Sequence, residues 1–92
     1  MDGILFDSAK EAQAYWGLSQ LEKSGKIAEL RRQVTFAITV NGIHVCNYIA
    51  DFTYYDEKRD YVVADAKGMR TQVYTLKKRL LLAARGIEIK EL

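Results

Sequence analysis

Asp51, Asp65 and Lys67 could do chemistry together, because hairpin geometry would make them neighbours. Tyr48 to Tyr55 and Tyr61 to Lys67 are rich in β-branched and aromatic residues and flank a polar turn, Asp56-Glu57-Lys58-Arg59-Asp60, so both read as strands. Closing that turn sets Tyr55 opposite Tyr61, and antiparallel counting then sets Asp51 opposite Asp65. Directly opposed side chains have Cβ atoms about 5 Å apart, where like charges repel. A divalent cation offsets that repulsion, since Mg²⁺ is held by one or two carboxylates together with substrate phosphate oxygens. Lys67 follows Asp65 by two residues and so projects from the same face. Two acids and a lysine on one sheet face are the parts of a metal-dependent phosphodiesterase, and they predict a small nuclease. The plain alternative is a solvent-facing Asp51 and an exposed Asp65–Lys67 pair worth under ~1 kcal/mol. The flanking Ile49, Phe52, Val63 and Ala64 leave neither face suited to water, which favours the cation site.

The elements that must position these residues can be read from caps and periodicity. A helix is expected from about Ser8 to Ser24: Ser8 and Glu11 form an S-x-x-E capping box, and Gly25 stands where the helix should end. Lys10, Gln13, Gly17 and Gln20 share its polar face, and Ala12, Tyr15, Leu18 and Leu21 lie towards the other. Ile27 to Thr39 reads as one long or bent strand, Asn41-Gly42 as a tight turn, and Ile43 to Tyr55 as the returning strand. After the third strand Gly68 breaks the pattern. A second helix is expected from about Thr71 to Arg85, with Val73, Leu76, Leu80, Ala83 and Ala84 on its core face and Gly86 as its stop. Ile87, Ile89 and Leu92 suggest a short closing strand. The order αβββαβ predicts an α/β fold, a mixed sheet flanked by helices.

With an acid in its second strand and D-x-K ending its third, this order resembles the PD-(D/E)XK nuclease superfamily and its restriction-endonuclease-like core. More narrowly, Phe6-Asp7-Ser8-Ala9-Lys10-Glu11-Ala12, Tyr48-Ile49-Ala50-Asp51-Phe52 and Asp65-Ala66-Lys67-Gly68 resemble a family of small phage nucleases. The resemblance covers essentially the whole chain, residues 1–92, as a single nuclease domain. Ala50 stands in place of the proline that names the motif. Asp65 stands where many members carry glutamate, which shortens the arm that reaches the metal.

By this resemblance Asp51 would bridge one or two Mg²⁺ ions, with Mn²⁺ able to substitute, and Asp65 and the Ala66 carbonyl would complete the inner shell. Lys67 would hold the attacking water or neutralise charge developing on the phosphate. An ammonium beside two carboxylates keeps its proton, which favours the electrostatic role over that of a general base. In the superfamily a first-helix glutamate often reaches the metal cluster directly or through water, which nominates Glu11. Its place in the capping box explains it without any function, but its spacing from Tyr15 and Leu18 turns it towards the sheet. Some superfamily members use a glutamine in the first long strand near the scissile phosphate, which nominates Gln33; an outward polar strand residue is the ordinary reading.

DNA contacts are expected from the second helix, where Tyr74, Lys78 and Arg85 share a stripe with Lys77 and Arg79 beside it. The ordinary reading is a solvated helix face. Thr71 and Gln72 could offer helix N-terminal N–H groups to phosphate, and Arg70 lies on the segment leading into that helix.

The bulk numbers set outer limits. A chain of 92 residues supports one core. Its hydrophobic share of 49% and charged share of 28% are those of a soluble globular protein. A net charge of +2 would not by itself suggest a nucleic-acid partner. No apolar run approaches the ~20 residues of a membrane span, and there is no signal-like start, so a cytoplasmic location, the host's if phage-encoded, is expected without membrane association. The single cysteine, Cys46, excludes an internal disulfide. His44 and Cys46 alternate onto one strand face but supply half of the four ligands a structural zinc needs. No Gly-rich phosphate loop or nucleophilic Ser or Cys constellation is present.

The expected function is a Mg²⁺-dependent endodeoxyribonuclease of phage replication, recombination or repair. So small a domain has little surface for reading base sequence, which favours branched or distorted DNA. Cutting two strands with one site per chain favours a homodimer. The alternative is a nuclease-fold module that binds DNA or protein without turnover. Removing either aspartate is expected to relieve repulsion, so that without Mg²⁺ the alanine variants melt no lower than the parent, while losing the stabilisation that the metal brings.

Overall fold

The computed structural model describes residue 6 and residues 8–66 and 71–92. Its elements follow in the order α1 (Ala9–Lys23), β1 (Ala28–Val40), β2 (Ile43–Tyr55), β3 (Tyr61–Asp65), α2 (Gln72–Arg85) and β4 (Ile89–Glu91). The four strands form one mixed sheet in that order, antiparallel through β3 and parallel between β3 and β4. The α/β class and the αβββαβ order are those the sequence predicts.

Local chemistry explains the boundaries. The Ser8 side chain caps α1 by accepting from the Glu11 N–H, one of the donors that a helix start leaves without an internal partner. At the other end Gly25 takes a φ of 83°. Its N–H donates to Glu22 O, and the Lys26 N–H donates to Leu21 O, a paired closure that needs a left-handed residue at this position. Thr71 caps α2 through the Tyr74 N–H, and Gly86 ends it. Asn41 and Gly42, both with positive φ, make the tight turn between β1 and β2.

The register of β2 on β3 is set by Asp56. Its Oδ1 accepts from the N–H groups of Lys58 and Asp60, fixing the turn so that Tyr55 faces Tyr61 and Phe52 faces Ala64.

Two apolar clusters cover the two faces of the sheet. Phe36, Ile38, Tyr48, Ala50 and Val63 pack with Tyr74 and Leu81 of α2. Phe52, Tyr54 and Ala64 pack with Leu18 of α1. Burying each large side chain fully contributes about 1.5–3 kcal/mol.

Residues two apart on a strand normally share a face, yet both long strands break this rule at one level. On β2, Ala50 joins the α2-side cluster and Phe52 the α1-side cluster; on β1, Val34 and Leu30 divide in the same way. Gln33 lies at that break with a φ of 53°, a left-handed backbone that costs a residue other than glycine about 1–3 kcal/mol. A second residue of this kind, Glu29 (φ 54°), accompanies a register shift between Ala28 and Arg31, a bulge that bends the strand.

The sequence reading of α2 is corrected. Its core face carries Tyr74 and Leu81, while Val73 and Leu76 are 63% and 59% exposed. The helix is apolar on two stripes, so periodicity alone does not choose between them. The stripe bearing Tyr74 and Lys78 faces the sheet because long amphipathic side chains can bury their stems and keep a polar tip at the edge.

Candidate cation site on strands β2 and β3

The ladder between β2 and β3 runs from Tyr55–Tyr61 to Phe52–Ala64, and the next step in the same register is Asp51 beside Asp65. At that step side chains take over from backbone pairing. Asp65 Oδ1 accepts from the Asp51 N–H at 2.8 Å, and Asp51 Oδ2 accepts from the Ala66 N–H at 3.0 Å. Each carboxylate thus places one oxygen on the opposite strand. Asp51 is 6% exposed and Asp65 is fully buried.

Holding two acids in the interior opposes both desolvation and mutual repulsion. The lacing through backbone N–H groups fixes where the oxygens lie. These are hard oxygen donors of the kind that Mg²⁺ takes. Ala66 is buried beside them. Lys67 and Arg70 lie outside the described residues.

On β1, Arg32 pairs with Phe52 and Val34 with Ala50, which places Gln33 across from Asp51. On the other side Asp65 pairs with Glu91 of β4. One level of the sheet therefore carries Gln33, Asp51, Asp65 and Glu91 on four successive strands, at the level where β1 and β2 change face.

Glu11 is buried on α1. Its backbone N–H completes the Ser8 cap, but its carboxylate turns to the sheet: Oε1 accepts from Gln33 Nε2 at 2.9 Å and meets Arg32 Nη2 at 3.4 Å. Capping and sheet contact are thus divided between the backbone and the side chain of one residue. Among the described residues no three His, Cys, Asp or Glu side chains gather as a ready metal cage. Glu11 accordingly reaches the level of the two aspartates through Gln33, without joining them in one ligand group.

The residues expected to meet DNA divide. Thr71 and Gln72 are exposed at the start of α2. Lys77 is half-buried and lines a groove of about 360 Å³ with Asn47, Ile49, Thr71 and Val73. Tyr74, by contrast, is a core residue at 8% exposure whose hydroxyl donates to Glu91 Oε2 at 3.1 Å. Lys78 Nζ lies 3.2 Å from Glu91 Oε1. Arg85 is exposed, with its guanidinium 5.5 Å from the Phe36 ring centroid. Tyr74 and Lys78, read as part of a DNA-facing stripe, lie on the side of α2 that rests on the sheet. His44 Nε2 is bonded to Asn47 Oδ1, and Cys46 packs against the α2-side core.

Sequence reasoning missed Arg32 and Glu91. Arg32 adjoins Gln33 in a strand, where alternation sends neighbours to opposite faces, so nothing in the pattern ties both to Glu11. Glu91 sits in a strand of three residues, too short to reveal a face.

No helix among the described residues is long and apolar enough to cross a membrane. A family model described as a protein of unknown function (DUF1064) matches residues 1–90. Neither the search of curated proteins nor that of solved structures finds a match.

Proposed function

The chain belongs to the DUF1064 family, and for it we propose Mg²⁺-dependent endonucleolytic hydrolysis of DNA phosphodiester bonds, with Mn²⁺ able to substitute. The observation that carries this reading is the Asp51–Asp65 pair: two carboxylates almost wholly removed from water, on adjacent strands, with Asp65 accepting from the Asp51 N–H and Asp51 from the Ala66 N–H. Burying two like charges side by side is costly, and a divalent cation bound between them would offset their repulsion. The resemblance to PD-(D/E)XK nucleases in Tyr48-Ile49-Ala50-Asp51-Phe52 and Asp65-Ala66-Lys67-Gly68 supports the same chemistry.

When bound, the metal activates a water and stabilises charge on the phosphate and the leaving oxygen. Asp51, Asp65 and the Ala66 carbonyl would hold it. Lys67 neutralises charge on the phosphate. Thr71, Gln72 and Lys77 contact the DNA backbone, giving affinity without base reading. Branched or distorted DNA is the favoured substrate, for the work of phage replication, recombination or repair. A symmetric pair of chains would supply one site per strand.

The test is cleavage of labelled plasmid and branched DNA with Mg²⁺, wild type beside Asp65→Ala. Metal-dependent cleavage by the wild type alone is expected. Equal turnover by the variant would overturn the mechanism. Wild-type protein that binds DNA with Mg²⁺ and cleaves none would make it a binding module.

A further inference from the structure

Neighbouring strand residues project to opposite faces, yet Arg32 and Gln33 both reach the same Glu11 oxygen. The left-handed backbone at Gln33 is what allows it, by breaking the alternation between the two. Glutamine has no intrinsic preference for that conformation. Strained backbone of this kind persists where the surroundings over-determine it, and it clusters at functional sites.

Arg32 is fixed in a second way. Its guanidinium lies 4.4 Å from the Phe6 ring centroid and 5.8 Å from that of Tyr15, while its Nε is buried without a hydrogen-bond partner among the described residues. Ring faces, rather than a full set of acceptors, therefore hold the planar cation over Glu11.

We propose that Arg32 and Gln33 act as one positioning unit for Glu11, holding its carboxylate at the level of Asp51 and Asp65 as the outer arm of the cation site. This inference rests on the cation-site reading above. Gln33 supplies the shorter bond and, from its place across from Asp51, the path between helix and acids. Arg32 supplies the opposite charge that lets a buried glutamate stay where it is. Outer-shell groups of this type orient the ligands and waters of a metal without touching it.

The test is Mg²⁺ binding by titration calorimetry on the intact protein, well below its melting temperature, together with kcat and KM for DNA cleavage. Gln33→Gly is informative because glycine adopts the same positive φ freely, so the backbone is kept and only the amide is lost. Arg32→Lys keeps the charge but loses the flat surface between the rings. Both variants should weaken Mg²⁺ binding by about 10–100-fold, as should Glu11→Gln, with kcat reduced and KM for DNA unchanged. A purely structural role would lower the melting temperature and leave the affinity alone. Mg²⁺ affinity within about twofold of wild type in Gln33→Gly and Arg32→Lys, with Asp65→Asn having lost it, would overturn the positioning role by itself. Wild-type affinity in Asp65→Asn would instead overturn the cation site, and this inference with it.

Discussion

Two places in this fold hold charged side chains against the sheet, and they treat charge in opposite ways. At the β4 edge Lys78 and Glu91 bring unlike charges to 3.2 Å, with side chains 34% and 24% exposed, and the Tyr74 hydroxyl bonds the same carboxylate. On the neighbouring strands, at the same level of the sheet, Asp51 and Asp65 bring like charges together at 6% and 0% exposure. The first arrangement is self-neutral and wet, and such pairs contribute about 0–1 kcal/mol. The second concentrates negative charge where desolvation costs several kcal/mol per ion. Complementary charge at an edge adds little to stability and asks for nothing further. Like charge in the interior is the arrangement on which the proposed cation site rests.

The largest expected effect comes from neutralising the second region without disturbing its hydrogen bonds. Asp65→Asn keeps an acceptor for the Asp51 N–H and deletes one charge. Cleavage should fall to the level of a no-enzyme control, and the metal-free protein should melt at or above wild type. Mg²⁺ at about 100 times its Kd stabilises a single-site protein by about 2.7 kcal/mol, or about 10–20 °C for a domain of this size. Thermal scans should show that rise in wild type and none in the variant.

Asp65→Ala separates repulsion from hydrogen bonding. It also removes a charge, but it leaves the Asp51 N–H buried without its acceptor, a loss of about 1–3 kcal/mol. Urea unfolding without metal should place it below Asp65→Asn. The expectation that alanine variants melt no lower than the parent considered repulsion alone; the cross-strand bonds set the opposite sign.

At the β4 edge the effects are smaller and confined to stability. Tyr74→Phe removes one bond to a carboxylate and should cost about 1–2 kcal/mol, with kcat unchanged. A double-mutant cycle on Lys78 and Glu91 should return a coupling of about 0.2–1 kcal/mol that shrinks with salt. Binding isotherms over a salt series would sharpen the contrast on the helix itself. Replacing Lys77 or the exposed Arg79 with alanine should flatten the dependence of log K on log salt by about 0.9 per lost phosphate contact, and Lys78→Ala should leave the slope unchanged.

The sequence carried the parts of this molecule that short-range chemistry decides. Ser8, Gly25, Thr71 and Gly86 mark helix ends by satisfying or releasing backbone groups, and the structure uses all four for that purpose. The Asp51–Asp65 juxtaposition was legible because a turn of five residues and a period of two leave a single register. Three features were not. Two apolar stripes on α2 are equivalent until the sheet and Glu91 choose one. The left-handed Gln33 is a tertiary outcome with no local signature, so the change of face at Asp51 and the convergence of Arg32 and Gln33 on Glu11 could not be foreseen. The capping box predicts a bond for the Glu11 side chain that the buried site claims instead.

The central claim is that Asp51 and Asp65 share a cation, and the most direct measurement is anomalous scattering from crystals grown with Mn²⁺. A single strong peak is expected between the two carboxylates, within about 2.0–2.3 Å of an oxygen from each, the range for a small hard divalent ion. Ordered protein in saturating Mn²⁺ with no peak there, or with Mn²⁺ bound elsewhere and none between Asp51 and Asp65, would contradict it.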